Sequence, residues 1–515
     1  MRIEIDNRIR VLDADPAEVA RLKALCEHPN PARAELPRLE AALKSRPFDK
    51  RLRGMVANLR SQEDVIRTWR DYNPEEPLIS LPRGVAKQVG VDLRDVVCGV
   101  SGDARLVWPS GLTPRKSPRP EQEAFIAAAQ REMQGIYRAS AGSGKTLALL
   151  FLTDRLKLPT LVVVPSQALL EQWVRVAIDE LGMRPEDIGA VGGGTCEVRP
   201  LTVATVDSLA VDGCRRAREL SRTFGVLLFD EVYGAAARTR FDVVDCSAAR
   251  YRIACGDDER RKDDLECLTY DAFGPVLCEL SRRDAERMGL VVPVRVRLVE
   301  TGTAPPAWWD ALDVQARSMR RTELIRHLEA DNERTTLVVS CVLRAAGEGC
   351  QVLAFSHHVD YVRCLERSSA MHDTGLFLGG PEQKAERRRT TEGLLDGSIR
   401  AAFATYKALG KGVNLPSVER AVLATPIHNS RDGVNQVLAR LNRASEGKAQ
   451  PEAVVLYDER IFGLAPVRSY MHGGREVVVE RPGNIVVPAR DYLRDRQDEK
   501  AKEKVMGAAR FFDEL

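Results

Sequence analysis

Residues 135–156 read "GIYRASAGSGKTLALLFLTDRL": an apolar run, a Gly-Ser loop closed by Lys145 and Thr146, then a helix-forming stretch. No other feature confines the fold so tightly. A strand that feeds a glycine loop opening a helix aims backbone N–H groups at one point, and the helix dipole adds to their field. That is a phosphate cradle. Ala141, Gly142, Ser143 and Gly144 form its wall, Lys145 reaches the outer phosphates, and the Thr146 hydroxyl is a ligand for Mg²⁺. The expected cofactors are therefore ATP and Mg²⁺. Ala139 stands where the common pattern has glycine.

"GVLLFDE" supplies the matching half. Four apolar residues make a buried strand, and Asp230 at its end is placed to reach the same Mg²⁺. Glu231 is placed to orient and deprotonate a water that attacks the γ-phosphate. An Asp-Glu pair alone is a weak signal, but behind an apolar strand and downstream of a phosphate loop it is a specific one.

Both motifs belong to a longer series. "GIYRAS", "TLVVVP", "LTVAT", "GVLLFD" and "YRIAC" are short runs rich in β-branched residues, separated by helical stretches. The series restarts with "QVLAFS", "TGLFLG", "RAAFAT", "RAVLATP" and "AVVLY". Apolar strands alternating with helices predict parallel α/β sheets, here two in succession. At 515 residues, the length suits roughly three to four domains. We place an accessory α+β domain at 1–108, ahead of the basic, proline-rich "SGLTPRKSPRPEQ". The first P-loop sheet follows at 109–302, the second at 303–465 after the break at Pro305 and Pro306, and an extension at 466–515. Within the first segment, "DADPAEVARLKALCEH" predicts a helix capped by Asp15, with Pro16 in its first turn and Glu18 completing a capping box. Trp69 and Tyr72 read as core of this segment rather than as a stacking platform. Arg115, Lys116 and Arg119 of the linker read as solubilising charge.

Lys and Arg number 77 against 74 acidic residues, so any surface made for a polyanion has to be local. The eleven cysteines show no CxxC and no spacing with histidine that suggests zinc. With no signal-peptide run and no apolar stretch of about eighteen residues, the expected setting is cytoplasmic, with reduced thiols and no membrane contact.

Over roughly residues 115–465 the chain resembles the superfamily 2 helicases and translocases of DEAD/DEAH type. The branch is that of XPB-like, restriction-enzyme and phage recombination helicases, and the motifs appear in the family's order. The resemblance implies two tandem RecA-like P-loop domains with parallel sheets, and ATP hydrolysis coupled to movement along nucleic acid. It implies that Gln122 of "RPEQEAF" reads adenine. Ser166 and Gln167 of "VVVPSQALLEQW" and Thr205 of "TVATVDSL" would touch the nucleic-acid backbone from the first sheet. Ser356 of "VLAFSHHVDY" and Thr405 of "AAFATYKALGKGVNLP" would do so from the second, with Gly412 and Asn414 coupling to the nucleotide. "NQVLARLNRA" resembles the element in which Gln436 contacts the triphosphate and Arg440 and Arg443 act as arginine fingers. "KAERRRT", with Lys384 and Arg387 to Arg389, lies where relatives approach the strand, which makes Arg387 a candidate phosphate contact. "FGPVLCELSRRDAERMGLVVPVRVRLVE" resembles the exit from the first sheet.

The departures are as specific. Val232 and Tyr233 follow the acidic pair where the family has His or Asp, and Cys255, Gly256 and Asp257 replace its Ser-Ala-Thr triplet. In the family those two elements hydrogen-bond and couple nucleotide state to strand movement. Asn414 and Ala439 replace Asp and Gly. Three readings stay open: a motor on DNA rather than RNA, an ATP-gated clamp, and the motor subunit of a nuclease or defence complex. The N-terminal domain is a candidate site for protein partners.

Overall fold

The computed structural model describes residues 2–45, 47–73, 78–94, 100–233, 237–257, 265–408, 418–425, 437–438, 441–442, 450–471 and 475–497. The chain divides into two compact units, Met1–Arg282 and Arg283–Leu515.

The first unit opens with a four-stranded antiparallel sheet in the order β1-β2-β6-β5, made of β1 (Arg2–Ile5), β2 (Arg8–Leu12), β5 (Arg70–Asn73) and β6 (Leu78–Pro82). Between β2 and β5 lie α1 (Pro16–Leu25), β3 (Glu27–Pro29), α2 (Pro31–Ala34), α3 (Leu36–Ser45), α4 (Lys50–Ser61) and β4 (Val65–Arg67). β3 and β4 pair as a two-stranded ribbon. Asp15 caps α1 as expected, accepting from the Glu18 amide at 2.8 Å. The box stays half made, because the Glu18 carboxylate turns to Arg21 instead. Trp69 packs at the edge of the sheet's core, with its indole N–H on Glu27 and Lys23 over its ring.

The phosphate-loop sheet follows. Its elements are α5 (Pro120–Glu132), β7 (Gln134–Ala139), α6 (Lys145–Leu156), β8 (Thr160–Val164), α7 (Gln167–Asp179), β9 (Ile188–Gly192), β10 (Thr195–Cys196), β11 (Leu201–Thr205), α8 (Val206–Glu219), β12 (Val226–Phe229), α9 (Ala237–Asp245), β13 (Tyr251–Gly256), α10 (Glu266–Phe273) and β14 (Val276–Leu280). The strand order is β10-β9-β11-β8-β12-β13-β7-β14, parallel except for β10. β12 and β8 are buried along their whole lengths, which explains their unbroken apolar sequences.

The N-terminal sheet belongs to the same compact unit. Arg8, 1% exposed, sends its guanidinium into both carboxylate oxygens of Asp245 at 2.6 Å and into the Thr68 and Ser80 carbonyls. Arg83 donates to the carbonyls of Ala249 and Arg250 at 2.7 Å. Next to it, a Cβ on Gly84 would fall 2.0 Å from the Tyr270 carbonyl oxygen, so only glycine admits this approach. Buried pairs of this kind are held by geometry as much as by charge, and removing one partner strands the other.

The second unit is an eight-stranded sheet in the order β17-β18-β16-β19-β20-β15-β21-β22. These strands are β15 (Arg295–Glu300), β16 (Val352–Ser356), β17 (Thr374–Phe377), β18 (Ala401–Thr405), β19 (Arg420–Leu423), β20 (Glu452–Tyr457), β21 (Val477–Arg481) and β22 (Ile485–Pro488). All run parallel except β22. Two sequence assignments shift. β15, read as the exit from the first sheet, lies inside the second between β20 and β21. The extension after residue 466 completes that sheet's edge. Among the described residues no helix is long and apolar enough to cross a membrane.

Candidate functional site

The loop between β7 and α6 takes the form its glycines allow. Gly142 and Gly144 have φ of 86° and 87°, the left-handed region. Ser143 closes the turn by donating its hydroxyl to the Ser140 carbonyl at 2.7 Å. Lys145 donates to the Ala139 carbonyl at 2.8 Å. Thr146 follows in the first turn of α6, half-buried. The Ser140 hydroxyl is buried and has no hydrogen-bond partner among the described residues. A positive-φ glycine loop at a helix N-terminus, lined by a lysine and two hydroxyls, is a donor set suited to a polyphosphate with its magnesium.

Gln122 is 1% exposed, and both polar atoms of its side chain are engaged within the protein. Its Oε1 accepts from the Arg119 amide at 2.9 Å, and its Nε2 donates to the Gly144 carbonyl at 3.2 Å. The start of α5 is thereby tied to the phosphate loop. Arg119 is not free solubilising charge: its guanidinium donates to the Ser143 carbonyl. A Cβ on Gly144 would meet Arg119 and Gln122 at 3.0 and 3.1 Å, so the fit there also depends on glycine.

Asp230 lies just past β12 and is 4% exposed. The Trp173 indole N–H donates to its Oδ2 at 2.7 Å, and the Cys255 thiol donates to Oδ1 at 3.0 Å. The Glu231 amide adds a third bond at 2.8 Å. Burial, and then the neighbouring Glu231, push the Asp230 carboxyl above the usual carboxylate range, against these donors and Lys145. Burial also pushes the Cys255 thiol well up, which keeps it protonated and a donor. Lys145 runs the other way. Burial alone would lower it, but Asp257, Glu231 and Asp230 together raise it, so the ammonium stays charged. Glu231 has φ of 55°, an uncommon conformation for a residue with a side chain.

Trp173 is a residue that sequence reading missed. It sits on α7, fully buried, 57 positions before the carboxylate it holds. The only sequence signal was an aromatic on a helix following the second strand.

The two departures from the family pattern meet in space. A Cβ on Gly256 would fall 2.6 and 2.9 Å from Cδ2 and Cε2 of Tyr233, and 3.1 Å from Val232 Cγ1. The Tyr233 ring therefore lies directly on the Gly256 backbone, and the Val232 amide donates to the Cys255 carbonyl at 2.9 Å. Arg138 of β7 faces Tyr233 and donates to the Tyr270 hydroxyl at 2.9 Å.

Ser356, Thr205 and Thr405 lie at strand ends, Ser166 and Gln167 at the start of α7, and Arg387 on the helix Lys384–Asp396. Ser166 caps α7 and Thr205 caps α8, each accepting from an amide three residues on, at 3.4 Å in both cases. Gln167 Oε1 lies against Gly192 and Gly193. In the second unit Thr405 accepts from the Ala408 amide at 3.3 Å. Ser356 is fully buried and donates to Glu329 at 2.7 Å. Arg387 donates to the Leu378 and Gly380 carbonyls at 2.6 and 2.8 Å, bracing the turn after β17. Gly412, Asn414, Gln436, Ala439, Arg440 and Arg443 lie outside the described residues.

A phosphate loop after β7 and a buried carboxylate after β12, with β13 between the two strands in one parallel sheet and a second mostly parallel sheet downstream, define a P-loop nucleotide-binding class. The family described as "Type III restriction enzyme, res subunit" matches residues 115–254. A putative DNA 3'-5' helicase Rad25 of Halobacterium salinarum is 26% identical over 404 residues, covering 76% of this chain and 62% of the relative. A probable helicase D10 of Escherichia phage T5 is 23% identical over 395 residues, 75% of this chain and 82% of the relative. The fold is shared with a fragment of a putative HsdR subunit of a type I restriction enzyme from Vibrio vulnificus, with a TM-score of 0.52 at 15% identity, covering 73% and 71% of the two chains. By these matches the chain is similar to the superfamily 2 helicases, in the branch that holds these proteins. It spans under two thirds of the haloarchaeal relative's length.

Proposed function

We propose that this protein is a nucleic-acid-dependent ATPase, a helicase or translocase that moves along DNA. The observation that carries the reading is the convergence of buried Lys145 and Asp230 with half-buried Glu231 at the phosphate loop. The Gly142–Gly144 amides and Lys145 would hold the phosphates, Gln122 would face the base, and Thr146 and Asp230 would hold Mg²⁺. Magnesium supplies charge neutralisation on the phosphates when bound. Glu231 would orient the attacking water and take its proton. Trp173 and Cys255 fix the Asp230 carboxylate, so its oxygens need no reorganisation. Gln436, Arg440 and Arg443 are proposed to contact the triphosphate, the arginines as fingers, and Gly412 and Asn414 to couple it to movement.

Ser166, Gln167 and Thr205 on the first sheet and Thr405 on the second are proposed to meet backbone phosphates, a mode that gives affinity without sequence readout. Ser356 and Arg387 shape the loops beside them. DNA is favoured over RNA because the relatives of Halobacterium salinarum and Kineococcus radiotolerans are named DNA 3'-5' helicases, against one mimivirus relative named an RNA helicase. The replacement of the hydroxyl triplet by Cys255–Asp257 favours a second reading, an ATP-gated clamp. One experiment separates the two. ATPase activity is measured without nucleic acid and with single-stranded, duplex and forked DNA and RNA, alongside displacement of a third strand from a triplex. A motor hydrolyses faster on DNA and strips the third strand. Stimulated hydrolysis with no displacement on any substrate leaves the clamp.

A further inference from the structure

The residues from α3 to α4 form a helical hairpin with a small core of its own, Leu39, Leu52 and Val56. At its tip Phe48 is 89% exposed, the most exposed of the large apolar side chains among the described residues. The tip is built to hold that ring out. Asp49 caps α4 by accepting from the Leu52 amide at 3.0 Å, and Arg53 donates to the Pro47 carbonyl at 2.6 Å. Residues 36–61 carry seven Lys or Arg against two acidic residues, a local +5 in a chain whose whole net charge is +3. Arg38, Lys44 and Lys50 are exposed. With α4 at twelve residues, the tip stands roughly 18 Å from its root.

The root is fixed to the nucleotide-binding unit. Asp271 of α10 accepts from the Thr68 hydroxyl at 2.5 Å and pairs with His28 at 2.7 Å, one on each side of the β3–β4 ribbon. Arg238 of α9 donates to the Arg67 carbonyl. α9 follows the acidic motif in sequence, and α10 follows the Cys255–Asp257 element.

We propose that this hairpin is a DNA-junction wedge: Phe48 stacks on the base pair exposed at a fork, and the flanking cations hold the phosphates. Among the described residues no protein surface covers this aromatic, and a base pair at a branch presents a bare π-face of matching size. The cations around it match a polyanion in a chain that is otherwise near neutral. The inference rests on the motor reading above and adds its substrate: branched rather than continuous duplex.

The test uses the full chain with Phe48→Ala, Phe48→Trp and Lys44→Ala/Lys50→Ala. Affinity is measured by anisotropy on forked, blunt and single-stranded DNA, with 2-aminopurine at the fork reporting stacking, and single-strand-stimulated ATPase is read in the same preparations. Phe48→Ala is expected to weaken fork binding roughly 5- to 150-fold, the equivalent of about 1–3 kcal/mol for one base–aromatic stack, and to abolish the 2-aminopurine change. Single-strand binding and its ATPase stay at the parental level, and Phe48→Trp restores fork affinity. Lys44→Ala/Lys50→Ala lowers the salt slope on forks by about 0.9 for each phosphate that is no longer neutralised. Normal fork affinity in Phe48→Ala, with DNA-stimulated ATPase intact, overturns the wedge while leaving the motor, and points the tip to a protein partner. No binding and no stimulation by any DNA in the parental chain overturns both.

Discussion

Gly256→Ala is the sharpest single perturbation of the nucleotide site. The new methyl carbon would stand 2.6 and 2.9 Å from two Tyr233 ring atoms, against an optimum of about 3.5–4.0 Å for carbon pairs. The ring has to retreat by roughly 1 Å. Gly256 sits at the end of β13 and has no positive φ, so the change adds no backbone strain, and the whole effect comes through Tyr233 and Val232. Overpacking of this kind costs about 1–3 kcal/mol. The displaced ring pushes on the loop that carries Asp230 and Glu231 and on Arg138, which faces it. We expect Gly256→Ala to lower the nucleic-acid-stimulated kcat while the KM for ATP holds. In the Tyr233→Ala background the same substitution should be nearly silent, giving a coupling energy of about 1–3 kcal/mol in a double-mutant cycle. The assay is steady-state ATPase on saturating DNA, with urea unfolding of the four proteins in parallel. If Gly256→Ala costs the same with and without the Tyr233 ring, within about 0.5 kcal/mol, the ring-on-glycine contact does not couple these elements and the reasoning fails.

Other substitutions isolate single interactions. Trp173→Phe keeps the bulk but removes the 2.7 Å bond to Asp230; about 1.5–3 kcal/mol of stability should disappear, with a raised Mg²⁺ requirement, and an unchanged Mg²⁺ titration would show that Asp230 is not held for metal. Lys145→Ala should weaken ATP binding, whereas Glu231→Gln should leave binding intact, stall turnover and hold DNA more tightly in ATP; hydrolysis at the parental rate in Glu231→Gln would remove its role. Arg443→Ala should cut stimulated ATPase by roughly 10³–10⁵ while ATP affinity holds, and full stimulation in that variant would remove the arginine-finger assignment.

The parts of this molecule that were legible in sequence are those in which chemistry and chain neighbourhood coincide. The phosphate loop is eight consecutive residues, its glycine conformations are local, and the buried strands read directly as β-branched runs. Long-range anchors left no comparable trace. Nothing in "NRIRV" announces that Arg8 finds Asp245, 237 positions on, because a buried arginine is written like an exposed one. Gly84 looks like a turn glycine until the Tyr270 carbonyl is seen against it. Arg119 looked like linker charge because its partner is a backbone carbonyl, which has no sequence signature. β15 was misassigned for a related reason: an apolar strand carries no mark of the sheet it joins, and only pairing with β20 and β21 decides it.

The two departures that set this chain apart from the family pattern are best understood together with its N-terminal sheet. The acidic motif ends in Tyr233 and the chain then enters α9, whose last residue, Asp245, holds Arg8 and Arg70. Past Asp257 it enters α10, whose Asp271 holds His28 and Thr68. Each of the two nucleotide-site elements is thus followed by a helix whose buried carboxylate grips the N-terminal part of the unit. A hydroxyl-to-histidine bond between the two elements can break and reform without displacing either helix. A tyrosine ring seated on a glycine cannot shift by about 1 Å without pressing on Val232 and Gly256 of the two elements themselves. To the hydrogen bonds that join these elements, Val232 to Cys255 and Cys255 to Asp230, this protein adds a ring-on-glycine contact, whose nearest mechanical neighbours are the anchors of the sheet and of the Phe48 hairpin.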